Sequence, residues 1–372
     1  MDELLATALP IAEILIIKRD FDLLKKIATN LKPEVQVQFT PFTALFCHES
    51  MVYLNKKGQH VEIEQIGEFS IKDIRQKAKL FDMSINKQFQ SIDNVDRIQD
   101  EYFIRLMKYP ELSAWNLHDN IGVYYDKNYR IVSNTHYSYY VFQDEKNISK
   151  PYDLASAYEL EGKDIHDFGY DMGRIIGSIS SGLASVRDFM VSDFSMENIE
   201  LNSRDLNTNR CSTFGNAKYK SFRLFILHII SSIGLILYVL KKSIIRESGL
   251  LLRLEYITYH YALKRLEKIK IAYENNGDSV NDEKLYALLL GMDFSNGNQL
   301  RNTDFRNCMM HFELIDKEGN SLINREKFNT ALPMCGLVES QFNGMSYDEY
   351  KNAIETELVD IYDRLYEYLD LF

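Results

Sequence analysis

Apolar positions along this chain recur mostly at helical spacing, with a few short stretches of strand character. Residues 2–31 predict a helix that ends near Pro33. Two stretches read as hairpins: MVYLNKKGQHVEIEQI (51–66), bending at Lys57-Gly58, and IGVYYDKNYRIVS (121–133), bending at Asp126-Lys127-Asn128. Both are rich in Val, Ile and Tyr, which suit strands, and so is THYSYYVF (135–142), read as a further strand packed on its sheet, with stacking of bases as the alternative. SIKDIRQKAKLFDM, DRIQDEYFIRLM and residues 153–179 read as helices. The recurring glycines of GYDMGRIIGSISSG (169–182) suit close helix packing. Residues 198–218 are dense in Asn, Ser, Thr and Arg without apolar periodicity, which marks a loop or domain boundary.

Beyond that boundary the pattern becomes strongly helical. Residues 219–246, 249–274 and 281–292 form three helical stretches, the second stopping at Asn276-Gly277. Ser346 and Glu349 have capping-box spacing ahead of a last helix, where Ile354, Leu358, Ile361, Leu365 and Leu369 repeat at helical intervals. The expected fold is mainly α: a C-terminal antiparallel helical bundle over 216–372, preceded by an N-terminal α+β domain over 1–200.

A length of 372 residues fits two domains. Four cysteines far apart, with no Cys-x-x-Cys pair, argue against a disulfide scaffold or zinc site and fit a reducing cytoplasm. The net charge of −11 disfavours a broad, non-specific grip on nucleic acid but leaves room for a small basic site. Leu224–Leu240 is seventeen residues without a charge, close to the length of a membrane span. It contains His228, Ser231, Ser232 and Gly234, so a buried bundle helix is expected and no membrane partner.

The chemistry concentrates in TDFRNCMMHFELID, residues 303–316. Thr303 or Asp304 is expected to cap a helix with Arg306 and Asn307 in its first turn. Asn307 and His311, four apart, would share a face, while Phe305, Met309 and Phe312 enter the core. Arginine offers a planar fork of donors to phosphate oxygens, and histidine moves protons near neutral pH. That pairing suits attack of a ribose 2′-hydroxyl on the adjacent phosphate, which needs no metal. No His/Asp/Glu cluster at metal-ligand spacing occurs in the chain, and no cofactor is expected. Looser Arg/His pairs occur at Arg130/His136, Arg223/His228 and Arg253/His260, but only Arg306 is followed directly by Asn with this spacing. His228 and His260 lie inside apolar helices and read as core histidines.

Arg-Asn-x-x-x-His at the start of a helix, late in an apolar bundle, resembles the HEPN superfamily over about residues 216–372. The resemblance implies a metal-independent endoribonuclease that leaves a 2′,3′-cyclic phosphate. It also implies a homodimer through the motif helix, with Arg306 on the phosphate, Asn307 orienting the site or the RNA, and His311 as the catalytic imidazole. A toxin or anti-phage defence (abortive infection) effector follows by the same analogy. Its N-terminal domain would restrain it, and an antitoxin or phage-derived trigger would act on it. Two other readings stand beside this one. The bundle is a non-catalytic HEPN-like protein-binding or RNA-binding module, or the motif is a solvated helix edge with a salt bridge to Glu313 or Asp304.

Overall fold

The computed structural model describes residues 3–58, 65–66, 69–80, 82–106, 109, 111, 115, 118–142, 154–188, 190, 192–215, 219–246, 249–275, 282–294, 299–342 and 344–372. The first helix, α1 (Glu3–Asn30), ends where the sequence predicts, and Pro33 opens α2 (Pro33–Lys56), where its missing N–H costs nothing. The first expected hairpin is not one. Residues 51–56 complete α2 because Met51, Tyr53 and Leu54 are buried on its inner face, and the Tyr53 hydroxyl donates to Glu13 Oε2 at 2.7 Å. Tertiary burial here overrides strand propensity. Among the described residues of that stretch Gln65–Ile66 (β1) is a strand, and it pairs with Phe69–Ser70 (β2); residues 59–64 lie outside the described residues. Two helices follow, α3 (Ile71–Lys77) and α4 (Ile85–Leu106).

The second hairpin forms as expected, from β3 (Ile121–Asp126) and β4 (Ile131–Asn134). Asp126 Oδ1 accepts the backbone N–H groups of Asn128 and Arg130 at 2.9 and 3.1 Å, and Tyr129 takes φ 61° to close the turn. Residues 135–142 are a helix, α5 (Thr135–Phe142), rather than a strand. Asn134 explains the switch: its side chain accepts the Tyr137 N–H at 2.8 Å, as an N-cap does. After α6 (Leu154–Gly182) comes a short strand, Asp193–Phe194 (β5), and the expected loop over 198–218 itself contains one strand, Leu201–Leu206 (β6). Strand β6 pairs antiparallel with β3, giving a three-stranded sheet in the order β4-β3-β6. The glycines Gly169, Gly173, Gly177 and Gly182 of α6 do not mediate close packing, since a Cβ at any of them would meet nothing within 4 Å.

The long apolar stretch divides into α7 (Lys220–Gly234), a π-helical segment (Leu235–Leu240), a last turn α8 (Lys241–Ser243) and a short strand β7 (Ile244–Arg246) that pairs with β5. Lys220–Ser243 is long and apolar enough to cross a membrane, but 94% of its most apolar window is buried inside the fold. Gly234 is where close approach requires a glycine: a Cβ there would lie 1.9 Å from the Ile131 carbonyl oxygen. Against this central helix pack β4, the long α9 (Leu250–Asn275) and the closing α13 (Tyr347–Leu369), the last with the expected capping box at Ser346/Glu349. Short helices among the described residues include α10 (Glu283–Leu290), α11 (Thr303–Met310) and α12 (Leu337–Gln341). The molecule is thus mainly helical with a small antiparallel component. Buried apolar side chains from residues 9–206 and 214–371 join one continuous core.

Polar groups stitch α2 and β4 to that central helix. Gln38 donates to Ser232 Oγ at 2.9 Å and Asn134 to Ser231 Oγ at 2.8 Å. Beside them His136 Nδ1 and His228 Nε2 lie 2.6 Å apart, walled by the rings of Tyr137 and Tyr140. Burial lowers His136 to about 3 and carries His228 well below the ordinary imidazole value, so both are neutral. The unfolded chain takes up protons at these imidazoles below about 6.5, and the fold refuses them. Stability contributed above that value is therefore lost as pH falls, by roughly 1.4 kcal/mol per pH unit for each imidazole. Urea unfolding at pH 7, 6 and 5 should show falling midpoints that flatten when both histidines are replaced by apolar residues.

Candidate active site

The motif helix α11 is capped one residue earlier than expected. Asn302, not Thr303 or Asp304, is the N-cap, its side chain accepting the N–H groups of Asp304 and Phe305 at 2.8 and 3.2 Å. Phe305, Met309 and Phe312 are buried, as their spacing predicts. Phe305 meets Tyr256 of α9 edge-on at 4.9 Å, and the Tyr256 hydroxyl donates to the Asn302 carbonyl at 3.2 Å. The helix runs for only eight residues, and His311 is its C-cap, in extended backbone at φ −120° and ψ 162°. Asn307 and His311 therefore do not stack on one helical face; what joins them is a backbone bond from the His311 N–H to the Asn307 carbonyl, 2.7 Å.

Helix α11 ends there because its surroundings take hold of its last turn. The buried Arg253 guanidinium of α9 donates to the Met309 carbonyl from Nε (3.2 Å) and Nη2 (2.9 Å), and pairs with Asp20 of α1 through Nη1 (2.6 Å). Three residues past His311, the Leu314 N–H donates to the buried Glu13 carboxylate at 2.9 Å. The chain is thus pulled across α1 and α2, and the imidazole turns toward α2.

There it meets Glu49. His311 Nδ1 lies 2.6 Å from Glu49 Oε2, while Oε1 of the same carboxylate takes Arg75 Nη1 at 2.5 Å and His48 Nδ1 at 3.2 Å. Glu49 is 5% exposed and the His311 side chain 49% exposed, so a buried anchor holds a group that faces solvent. Burial alone would raise the Glu49 carboxyl. Hydrogen bonds from His311 and His48 and the charge of Arg75 outweigh it and hold the group at about 2. An ionised carboxylate only accepts hydrogen bonds, so Nδ1 of His311 carries the proton and Nε2 points its lone pair outward when the ring is neutral.

Arg306 occupies a second part of the same region. It is half-buried and lies beside the Tyr261 hydroxyl of α9. Its Nε is buried without a hydrogen bond, and neither Glu313 nor Asp304 pairs with it. Glu313 instead pairs with Lys56. Other cations gather around it. Lys79, in the turn after α3, is held below the ordinary lysine value by burial and by the charges of Arg75 and Arg306. Lys264 of α9 is lowered by burial and by Arg306 and Arg301, although Asp82 lies 3.3 Å from it. His260 is no ordinary core histidine: burial and the adjacent Arg306, Arg301 and Lys264 lower it to about 3, and its Nδ1 is buried without a partner.

The two parts adjoin. Tyr261 senses the charges of both Arg306 and Arg75, and Lys79 senses both Arg306 and Glu49. His311 is thus linked through Glu49 and Arg75 to the cations around Arg306, on a chain whose net charge is −11. The Asn307 side chain, half-buried, makes no hydrogen bond with a described residue. Among the α9 side chains, Tyr256 and Tyr261 touch the motif, whereas Glu255 lies 3.7 Å from Lys351. Glu49, Arg75 and Lys79 were missed in the sequence. A visible signal was the pair His48-Glu49 set within the apolar run of α2.

Among the described residues, no three His, Cys, Asp or Glu side chains are grouped as metal ligands. The Asp316–Ser321 segment is a turn closed by Gly319 at φ 83°, with Asn320 bonded back to Asp316. No family model, curated protein or solved structure matches the chain.

Proposed function

We propose that this protein is a metal-independent endoribonuclease whose site is the Arg306–His311 region, and that its C-terminal helices are a HEPN-like bundle. The observation that carries the reading is the pairing of His311 with a buried, ionised Glu49, together with a guanidinium, that of Arg306, which pairs with no carboxylate among the described residues and whose Nε is buried without a hydrogen bond. A half-buried cation without a counter-charge favours an anion, and phosphate oxygens match its fork of donors. Lys79 and Lys264 add positive charge where a phosphorane would gather negative charge.

In this reading the outward Nε2 of His311 takes the proton of a ribose 2′-hydroxyl. The 2′-oxygen then bonds to phosphorus, the bond from phosphorus to the 5′-oxygen breaks, and the leaving oxygen is protonated. The products are a 2′,3′-cyclic phosphate and a 5′-hydroxyl. A second copy approaching the half-exposed His311 edge would supply a second imidazole for the leaving group, which is why a homodimer belongs to the proposal. Asn307 stands beside Arg306 with its amide available to the RNA. A cytoplasmic toxin or anti-phage effector, with an antitoxin or phage-derived trigger acting through the N-terminal half, is the setting this chemistry fits.

The test is incubation of the purified full chain with RNA in the presence of a metal chelator, followed by analysis of the new ends. Cyclic phosphate ends are expected, and Arg306→Ala should slow their appearance by about 10²–10³-fold, as loss of a transition-state donor does. RNA bound but left intact would mark an RNA-binding module instead.

A further inference from the structure

Resting on the nuclease reading, we infer that Glu49 of α2 is the positioning residue for His311, so that the reacting imidazole is set by the N-terminal half of the chain. Three observations lead there. Glu49 is buried and its carboxylate is fully engaged, by His311 on Oε2 and by Arg75 and His48 on Oε1, so it is fixed in place before any substrate arrives. His311 itself is half-exposed on extended backbone just past the end of α11, where the helix gives its ring no support. Its Nδ1 bond to Glu49 is therefore the contact that sets the ring's plane and tautomer. The third is the way Arg75 and Lys79 accompany Glu49. Both come from α3 and its following turn, and both act on the surroundings of Arg306. One carboxylate and two cations from the first 80 residues thus complete the region around the motif.

Glu49 touches neither substrate nor reacting atoms in this arrangement; it works through His311. Replacing its carboxylate by an amide leaves a neutral group that can bind either tautomer of the ring. Productive orientation then becomes one population among several, a loss expressed in kcat rather than in KM.

The experiment pairs two readouts on the full chain. Long-range proton–nitrogen NMR of histidine-labelled protein, with His311 assigned by its substitution, reports which ring nitrogen carries the proton. Cleavage of a defined RNA gives kcat and KM. In the parent protein neutral His311 should hold its proton on Nδ1. In Glu49→Gln that preference should be lost, and kcat should fall at least about tenfold with KM nearly unchanged. Glu49→Asp should recover part of the rate. A parent protein whose His311 carries its proton on Nε2 overturns the assignment without any variant having to fold. So does a Glu49→Gln enzyme that cleaves at the parent rate. Absence of any His311-dependent cleavage overturns the nuclease reading itself, and is told apart because the parent and the variants would then be equally silent.

Discussion

His311→Ala is expected to lower RNA cleavage by about 10²–10⁴-fold, the usual contribution of a positioned proton-transfer group. The fold should survive this change with little loss. The side chain is half-exposed, and Glu49 keeps Arg75 and His48 as partners when the imidazole is removed. Loss of cleavage with an unchanged helical circular dichroism spectrum and an unchanged urea midpoint is therefore the expected result. Cleavage that persists at the parent rate would remove His311 from the chemistry. A midpoint that collapses would instead make the Glu49 contact a structural one.

The second large effect lies away from solvent. Asp20 and Arg253 are both fully buried and 2.6 Å apart, and the guanidinium also lies over the ring of Phe312 at 4.1 Å. Asp20→Ala leaves that charge buried without its carboxylate, a change that costs about 3–5 kcal/mol. Urea unfolding should register it as a large drop in midpoint, and Asp20→Asn, which keeps an acceptor, should lose less. A change below about 1 kcal/mol would show that Arg253 finds another partner or reaches water. Because Arg253 also holds the Met309 carbonyl, the residual folded protein is expected to cleave more slowly as well.

The sequence made the long helices legible because burial in a bundle repeats every turn. The pattern from Ile354 to Leu369, the Ser346/Glu349 cap and the 121–133 hairpin with its Asp126 turn all reappear in the structure. Local strand propensity misled at residues 51–56 and 135–142. There the deciding terms were a buried face on α2 and the side chain of Asn134, which captures an N–H three residues on. The motif residues were legible as a spacing, but their geometry was not. Helical periodicity places Asn307 under His311, whereas Arg253 and Glu13, distant in sequence, end the helix and turn the imidazole away. Arg75 had no signal at all, and His48-Glu49 stood out only as a polar pair in an apolar run: no local pattern announces that its partner lies 262 positions away.

That span has a consequence for how the molecule is made. Synthesis delivers Glu49 well before His311, so the contact between them cannot exist until the 262 positions that separate them have been translated. A growing chain still short of that point lacks the Glu49–His311 contact, whatever it has already folded, so the proposed activity would begin only after the ribosome has passed His311.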